Sequence, residues 1–223
     1  MLSRAARAIA VASVLVAGLG VAPRSEAASD PAGFIGELGN QAIQVSGPQI
    51  PEAQRAARFR QLFDRDFDLP DLARFVLGPA GRRLSPPQQQ EFLALFRENL
   101  VQGYAKRLAE YAGEPFRVTG SRTVGDETIV TSQVQRRGGA PVEIDWHVAQ
   151  RDGRLLVTDV AIDGVSQRVT ERKEFAGIVE RNGGQPDSLI AALRQQLQQD
   201  QTARTGASSP PAGMAPPPAA AGR

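Results

Sequence analysis

The sequence predicts an α+β fold, a curved four-stranded antiparallel meander with helices across its apolar face. Three observations carry this. Apolar residues recur at helical spacing from Pro31 to Ala112, the period drops to two after Pro115, and helical spacing returns after Gly164. Helices, then consecutive short strands, then helices is the segregated order expected of α+β domains rather than of parallel βαβ units.

Each element has its own signals. Asp30-Pro31 pairs an N-cap with a first-turn proline, and Phe34, Leu38, Ala42 and Val45 follow on one helical face ending near Gly47. Pro51 opens a second helix with Ala56, Phe59 and Phe63 in phase. A short third helix follows Asp68, carries Leu72, Phe75, Val76 and Leu77, and is closed by Gly78. The fourth is one long helix from Ser85 to Ala112. Ser85, Pro86 and Gln88 form its capping box, and Gly113 and Pro115 stop it. At about 1.5 Å per residue it is roughly 40 Å long.

Strands then read as Phe116–Thr123 and Thr128–Gln135, with a turn at Gly125-Asp126. Val142, Ile144, Trp146 and Val148 alternate with Glu143, Asp145, His147 and Ala149, the pattern of a half-buried strand. Gly138-Gly139 and Asp152-Gly153 mark turns on either side, and Leu155–Ile162 is the fourth strand. Helices near Thr170–Arg181 and Pro186–Gln198, separated by Gly183-Gly184, complete the domain.

The two ends read differently. Arg4 and Arg7 precede an apolar run, Ile9 to Val21, and Ser25-Glu26-Ala27 offers small residues before a cleavage bond: a signal peptide over residues 1–27, cut between Ala27 and Ala28. The run falls short of the ~20 residues of a spanning helix. Residues 200–223 are rich in Pro, Ala, Gly and Ser and read as a disordered tail, leaving one domain over 28–199. Removing residues 1–27 takes away three arginines and one glutamate of the 26 basic and 24 acidic side chains, so 23 of each remain. No concentrated basic field for nucleic acid remains. With no cysteine in the chain, disulfides, thiolate metal sites and thiol nucleophiles are excluded.

Searches for catalytic chemistry end negatively. The lone histidine, His147, sits on the polar side of its strand, without partners for a general base or metal ligand in this reading. Asp64, Asp66 and Asp68 begin like a calcium loop, but Leu69 and Phe75 stand where a glycine and a bidentate glutamate are required, so they read as solvated or capping acids. Glu143 and Asp145 share a face as glycosidase carboxylates do, yet that is the usual solvent side of a sheet. The protein is not expected to be an enzyme, and no cofactor or metal is implied.

What remains is apolar surface. Phe92, Phe96, Leu100, Tyr104 and Leu108 recur every four residues along the long helix. A four-residue row drifts about 40° per step on a 3.6-residue helix, so the ridge winds and needs more than one neighbour. Cores and lipid pockets use the same residues. Amphipathicity alone favours a core.

The order of the pieces resembles the MlaC (toluene-tolerance) family of exported lipid-transport proteins, from about Phe34 to Leu197. The resemblance is carried by Phe67-Asp68 with Leu72-Ala73-Arg74 and Leu77-Gly78, then Arg82, Ser85-Pro86 with Gln88, and the aromatic ridge. It resumes at Thr158-Asp159 before Gly164-Val165-Ser166, then Arg172, Phe175 and Gly183-Gly184 before Leu189-Ile190. Gly81 and Leu155 stand where the family often has aromatics, and Thr170–Phe175 is similar to its hopanoid-associated branch. The resemblance implies an apolar cavity between sheet and helices holding acyl chains. It also implies a monomeric periplasmic carrier shuttling phospholipid, or a hopanoid or other lipid, between an outer-membrane lipoprotein complex and an inner-membrane ABC transporter with an MCE-type subunit. A lipid-independent periplasmic adaptor is the alternative. On this reading the lipid-binding residues are Leu72, Phe75, Val76, Phe92, Phe96, Leu100, Tyr104, Leu108, Ile144, Trp146 and Val165, with Arg74 or Arg82 near a phosphate.

Overall fold

A computed structural model describes residues 30–135 and 138–208, with side chains to residue 203. The expected signal peptide and the end of the tail lie outside the described residues. The described residues form six α-helices and one antiparallel sheet. The first four are α1 (Pro31–Val45), α2 (Glu52–Asp66), α3 (Leu69–Gly81) and α4 (Pro86–Leu108). The strands are β1 (Phe116–Val124), β2 (Glu127–Val134), β3 (Val142–Arg151), β4 (Arg154–Ile162) and β5 (Val165–Ser166), followed by α5 (Gln167–Arg181) and α6 (Ser188–Ser208).

Local chemistry explains the helix ends. The Asp30 and Asp68 carboxylates accept from the Ala32 and Asp71 amides at 3.1 Å each, satisfying N–H groups that have no intrahelical partner. The Gln88 side chain accepts from the Ser85 backbone N–H at 2.8 Å. Three expectations change here. The long helix is α-helical only to Leu108, and Ala109–Tyr111 tightens into a 3-10 turn before Gly113, whose φ is +80°. Gly78 does break α3, at φ 51° and ψ −139°, but a further short helical stretch with Pro79 follows it. Helix α6 runs to Ser208, so the first residues of the segment expected to be disordered are helical.

The sheet is a meander in the order β1-β2-β3-β4-β5. Asp152-Gly153 and Asp163-Gly164 all have positive φ, the backbone of the tight turns that match strand twist. The second of these turns adds the two-residue β5, which alternation is too short to reveal. Val130 lies opposite Trp146 and Ser132 opposite Ile144, so these four share one face. The alternation expected of β3 holds through His147, where a bulge shifts the register against β4. Ala149, expected at the polar face, is buried.

The α2–α3 junction is fastened to β4 by the main chain: the Asp68 N–H donates to the Val157 carbonyl at 3.0 Å beside a parallel bridge from Phe67. Away from the sheet, Phe92 and Phe96 stack at 5.7 Å and both meet the edge of Phe175, with Val76, Leu189 and Leu193 in the same buried cluster. No described helix is long and apolar enough to cross a membrane.

Candidate functional site

Between α1, α2, the end of α4 and the sheet lies an apolar cleft. Helix α1 contributes Leu38, Gly39, Ala42 and Ile43, and α2 contributes Phe59, Leu62 and Phe63. Tyr104 and Leu108 close one side, and Phe116, Ile144, Trp146 and Val160 form much of the floor. Every lining residue is apolar or aromatic. Its free volume is about 100 Å³, well under the roughly 300–1,000 Å³ of pockets that enclose small ligands. A long acyl chain therefore enters only if the walls move apart.

The floor is rigid for a reason. Trp146 would present an unsatisfied indole N–H to this apolar space, but Nε1 donates to the Ser132 hydroxyl at 2.8 Å. Phe116 stands edge-on to Trp146 at 6.3 Å. Above it, α1 approaches so closely that a Cβ on Gly39 would lie 2.2 Å from the Phe116 ring. Any side chain there would have to displace the ring or the helix.

A smaller recess continues from the cleft, sharing Phe63, Phe67, Tyr104 and Val160 as walls. Leu72, Val76, Phe96 and Leu100 line its apolar side, and Arg107, Asp159, Arg168 and Glu171 its polar side. Burial pushes the Tyr104 hydroxyl up to about 12, with Glu171 and Asp159 adding to the shift and Arg107 opposing it. The phenol stays protonated at neutral pH. The arrangement suits binding of an apolar chain; no nucleophile–base pair faces the cleft.

The structure divides the residues expected to bind lipid. Tyr104, Leu108, Ile144 and Trp146 line the cleft. Leu72, Val76, Phe96 and Leu100 line the recess with Tyr104. Three lie elsewhere. Phe92 is fully buried in the Phe96–Phe175 cluster, Phe75 lies beneath the Arg168 and Arg172 guanidinium groups, and Val165 is 56 % exposed on β5. Arg74 pairs with Asp71 and lines neither space, and Arg82 also lines neither.

Some residues escaped the sequence reading. Phe59 and Phe63 were visible as a helical face, but nothing local distinguishes a face over a cleft from a face in a core. The α1 contribution is likewise a matter of tertiary approach. Two polar expectations also change. Asp66, read with Asp64 and Asp68 as solvated or capping, is 4 % exposed and paired with Arg65 at 2.7 Å. His147 has a partner after all: Nδ1 lies 3.2 Å from Glu127, which also accepts from the Thr158 hydroxyl at 2.7 Å. This cluster is on the face opposite Trp146. Among the described residues, no group of three or more His, Asp or Glu side chains is placed to hold a metal.

Comparison with known proteins adds the following. Residues 40–195 match the family model described as MlaC protein. The intermembrane phospholipid transport system binding protein MlaC of Haemophilus influenzae is 28% identical over 129 residues, 56% of this chain and 59% of that protein. Toluene tolerance protein ttg2D of Pseudomonas putida is 27% identical over 110 residues, 49% of this chain and 51% of that protein. The chain thus spans little more than half the length of these relatives. A phospholipid-binding protein from Ralstonia solanacearum, solved in complex with a phospholipid, shares the fold with a TM-score of 0.66 at 21% identity, covering 77% of this chain and 98% of that one.

Proposed function

The chain belongs to the MlaC family, the match covering well over half its length, and on that premise we propose that it is an exported lipid carrier. In this reading the apolar cleft takes the acyl chains of a phospholipid. The protein shuttles it through the periplasm between an outer-membrane lipoprotein complex and an inner-membrane ABC transporter bearing an MCE-type subunit. The names of its relatives, a phospholipid transport binding protein among them, support this role. The observation that carries it is the cleft between α1, α2, α4 and the sheet, whose lining is entirely apolar or aromatic.

The energetics fit a reversible carrier. Burying an acyl chain gains about 0.8 kcal/mol per methylene, so a chain of ordinary length is held firmly once enclosed. Against this stands the work of separating walls that now touch one another. A partner that docks and favours the narrow form releases the lipid by the differential affinity it has for the two forms. Binding and transfer need no chemical step.

Export of the full chain followed by mild purification and native mass spectrometry tests the proposal. The expected result is one lipid per chain. Protein that is folded, lipid-free and unable to load from phospholipid vesicles would overturn it and favour the lipid-independent adaptor.

A further inference from the structure

The recess beside the cleft is half apolar and half charged, and its charges balance. Arg107 comes from α4, Asp159 from β4, and Arg168 and Glu171 from successive turns of α5. Asp159 holds Arg168 through its main chain and as an ion pair. The Asp159 carboxylate, 5 % exposed, accepts from the Val160 N–H at 2.8 Å and the Arg168 N–H at 3.1 Å, as well as from the Ser166 hydroxyl. It also lies 3.4 Å from Arg168 Nε. The Phe75 ring supports the guanidinium from below, 4.7 Å away. Arg168 is thus a positioned cation, and its buried Nε has no hydrogen-bond partner.

Glu171 differs. It accepts no hydrogen bond from any described residue. Burial pushes its carboxyl above the usual glutamate range, Glu174 adds to this, and Arg107 opposes it. A carboxyl in that position gains from an added cation. The recess therefore holds two guanidinium groups and two carboxylates, of which one carboxylate lacks a donor. A net-neutral site of this kind opposes a net anionic guest less well matched to it and favours one carrying both signs.

Building on the carrier reading, we infer that this recess is the headgroup end of the site and selects a zwitterionic, amine-bearing phosphodiester. The phosphate faces Arg107 and Arg168, and the ammonium faces Glu171. Continuity with the cleft through Tyr104 and Val160 lets the acyl chains of the same molecule lie on the apolar side. Discrimination then comes from charge pairing at the mouth, and affinity from the chains.

Full-length protein is incubated with vesicles of equimolar phosphatidylethanolamine and phosphatidylglycerol, and the loaded lipid is identified by native mass spectrometry. The expected preference for phosphatidylethanolamine is about fivefold, that of one partly screened ion pair. In Glu171→Gln the preference falls to near one while the melting temperature is kept. Arg107→Gln, at an exposed position, lowers loading of both lipids alike. Equal loading by the unaltered protein, or a preference that survives Glu171→Gln, overturns the headgroup assignment while leaving the carrier reading intact. Failure to load either lipid overturns both.

Discussion

Helix α1 and the pair α2–α4 cover the same cleft, but they are held by different forces. Helices α2 and α4 are bolted together by Arg60, which donates to both Glu98 oxygens at 2.7 and 2.8 Å, and by Arg97 with Asp64 at 3.3 Å. Helix α4 is tied in turn to α6 through Glu91 with Arg194, whose Nε lies at 2.8 Å, and the end of α2 is hydrogen-bonded to β4 through Arg154 and the Arg65 carbonyl at 2.6 Å. A single side-chain hydrogen bond, Arg65 to Gln41 at 2.8 Å, joins α1 to its neighbours among the described residues. Beyond this and the attraction between Glu37 and Arg65, it rides on apolar contact, brought close to the sheet by Gly39. The difference marks α1 as the wall expected to give way. Van der Waals contact over a small-residue track can be parted and restored without breaking ion pairs, which separation of α2 from α4 would do.

The comparison is broken most severely in the braced half. Phe92→Ala removes a fully buried ring from the Phe96–Phe175 cluster and is expected to cost about 3–5 kcal/mol, read as a lowered urea midpoint with no change in the lipid class bound. Next comes Glu98→Gln, which takes the charge from the α2–α4 bolt at a cost of about 1–3 kcal/mol. Burial alone would raise the Glu98 carboxyl, but hydrogen bonds from Gln102 and Arg60 outweigh it and hold it below the usual range. A carboxylate depressed in the folded state contributes stability above the unfolded value of about 4.3, and this is lost as the pH falls through the folded value. Glu127 has the same sign, burial again being outweighed by Thr158 and His147. Urea midpoints should therefore decline below about pH 4.3, and less steeply in Glu98→Gln.

The riding half is sharpened by smaller changes. In Gly39→Ala the new methyl meets the Phe116 ring, so either the ring turns from Trp146 or α1 lifts. The expected cost is about 1–3 kcal/mol, with hydrogen exchange accelerated in α1 while α4 amides stay protected. Gln41→Ala is the mildest, within about 1 kcal/mol, and its signature is faster lipid exchange between protein and labelled vesicles at nearly unchanged stability. Equal acceleration of exchange in α1 and α4 by Gly39→Ala would show that the two halves open together.

Local signals made most of the fold legible. Asp30, Asp68 and Ser85 mark helix starts through their own side chains, and Asp152-Gly153 marks a turn through its backbone. The alternation through Trp146 showed which strand face meets the helices. The site was less legible because a cleft is made by distances between elements. Along the α4 ridge the four-residue row drifts, so Phe92 turns into the α5–α6 core while Tyr104 and Leu108 reach the sheet. Periodicity puts all of them on one stripe and does not say where the neighbour changes. Val165 looked apolar and central, yet sits exposed on a two-residue strand. The cleft's α1 wall depends on Gly39 approaching Phe116, a contact between residues far apart in sequence.

That contact has a mechanical consequence. Phe116 is at once part of the floor on which a guest rests and the seat on which α1 bears, with no side chain between them to absorb displacement. Any guest large enough to shift the ring also tilts the helix above it. On the carrier reading proposed above, the outer surface of α1 would then be a gauge of occupancy, and a docking partner that touched only this helix could distinguish a full carrier from an empty one without contacting the cargo.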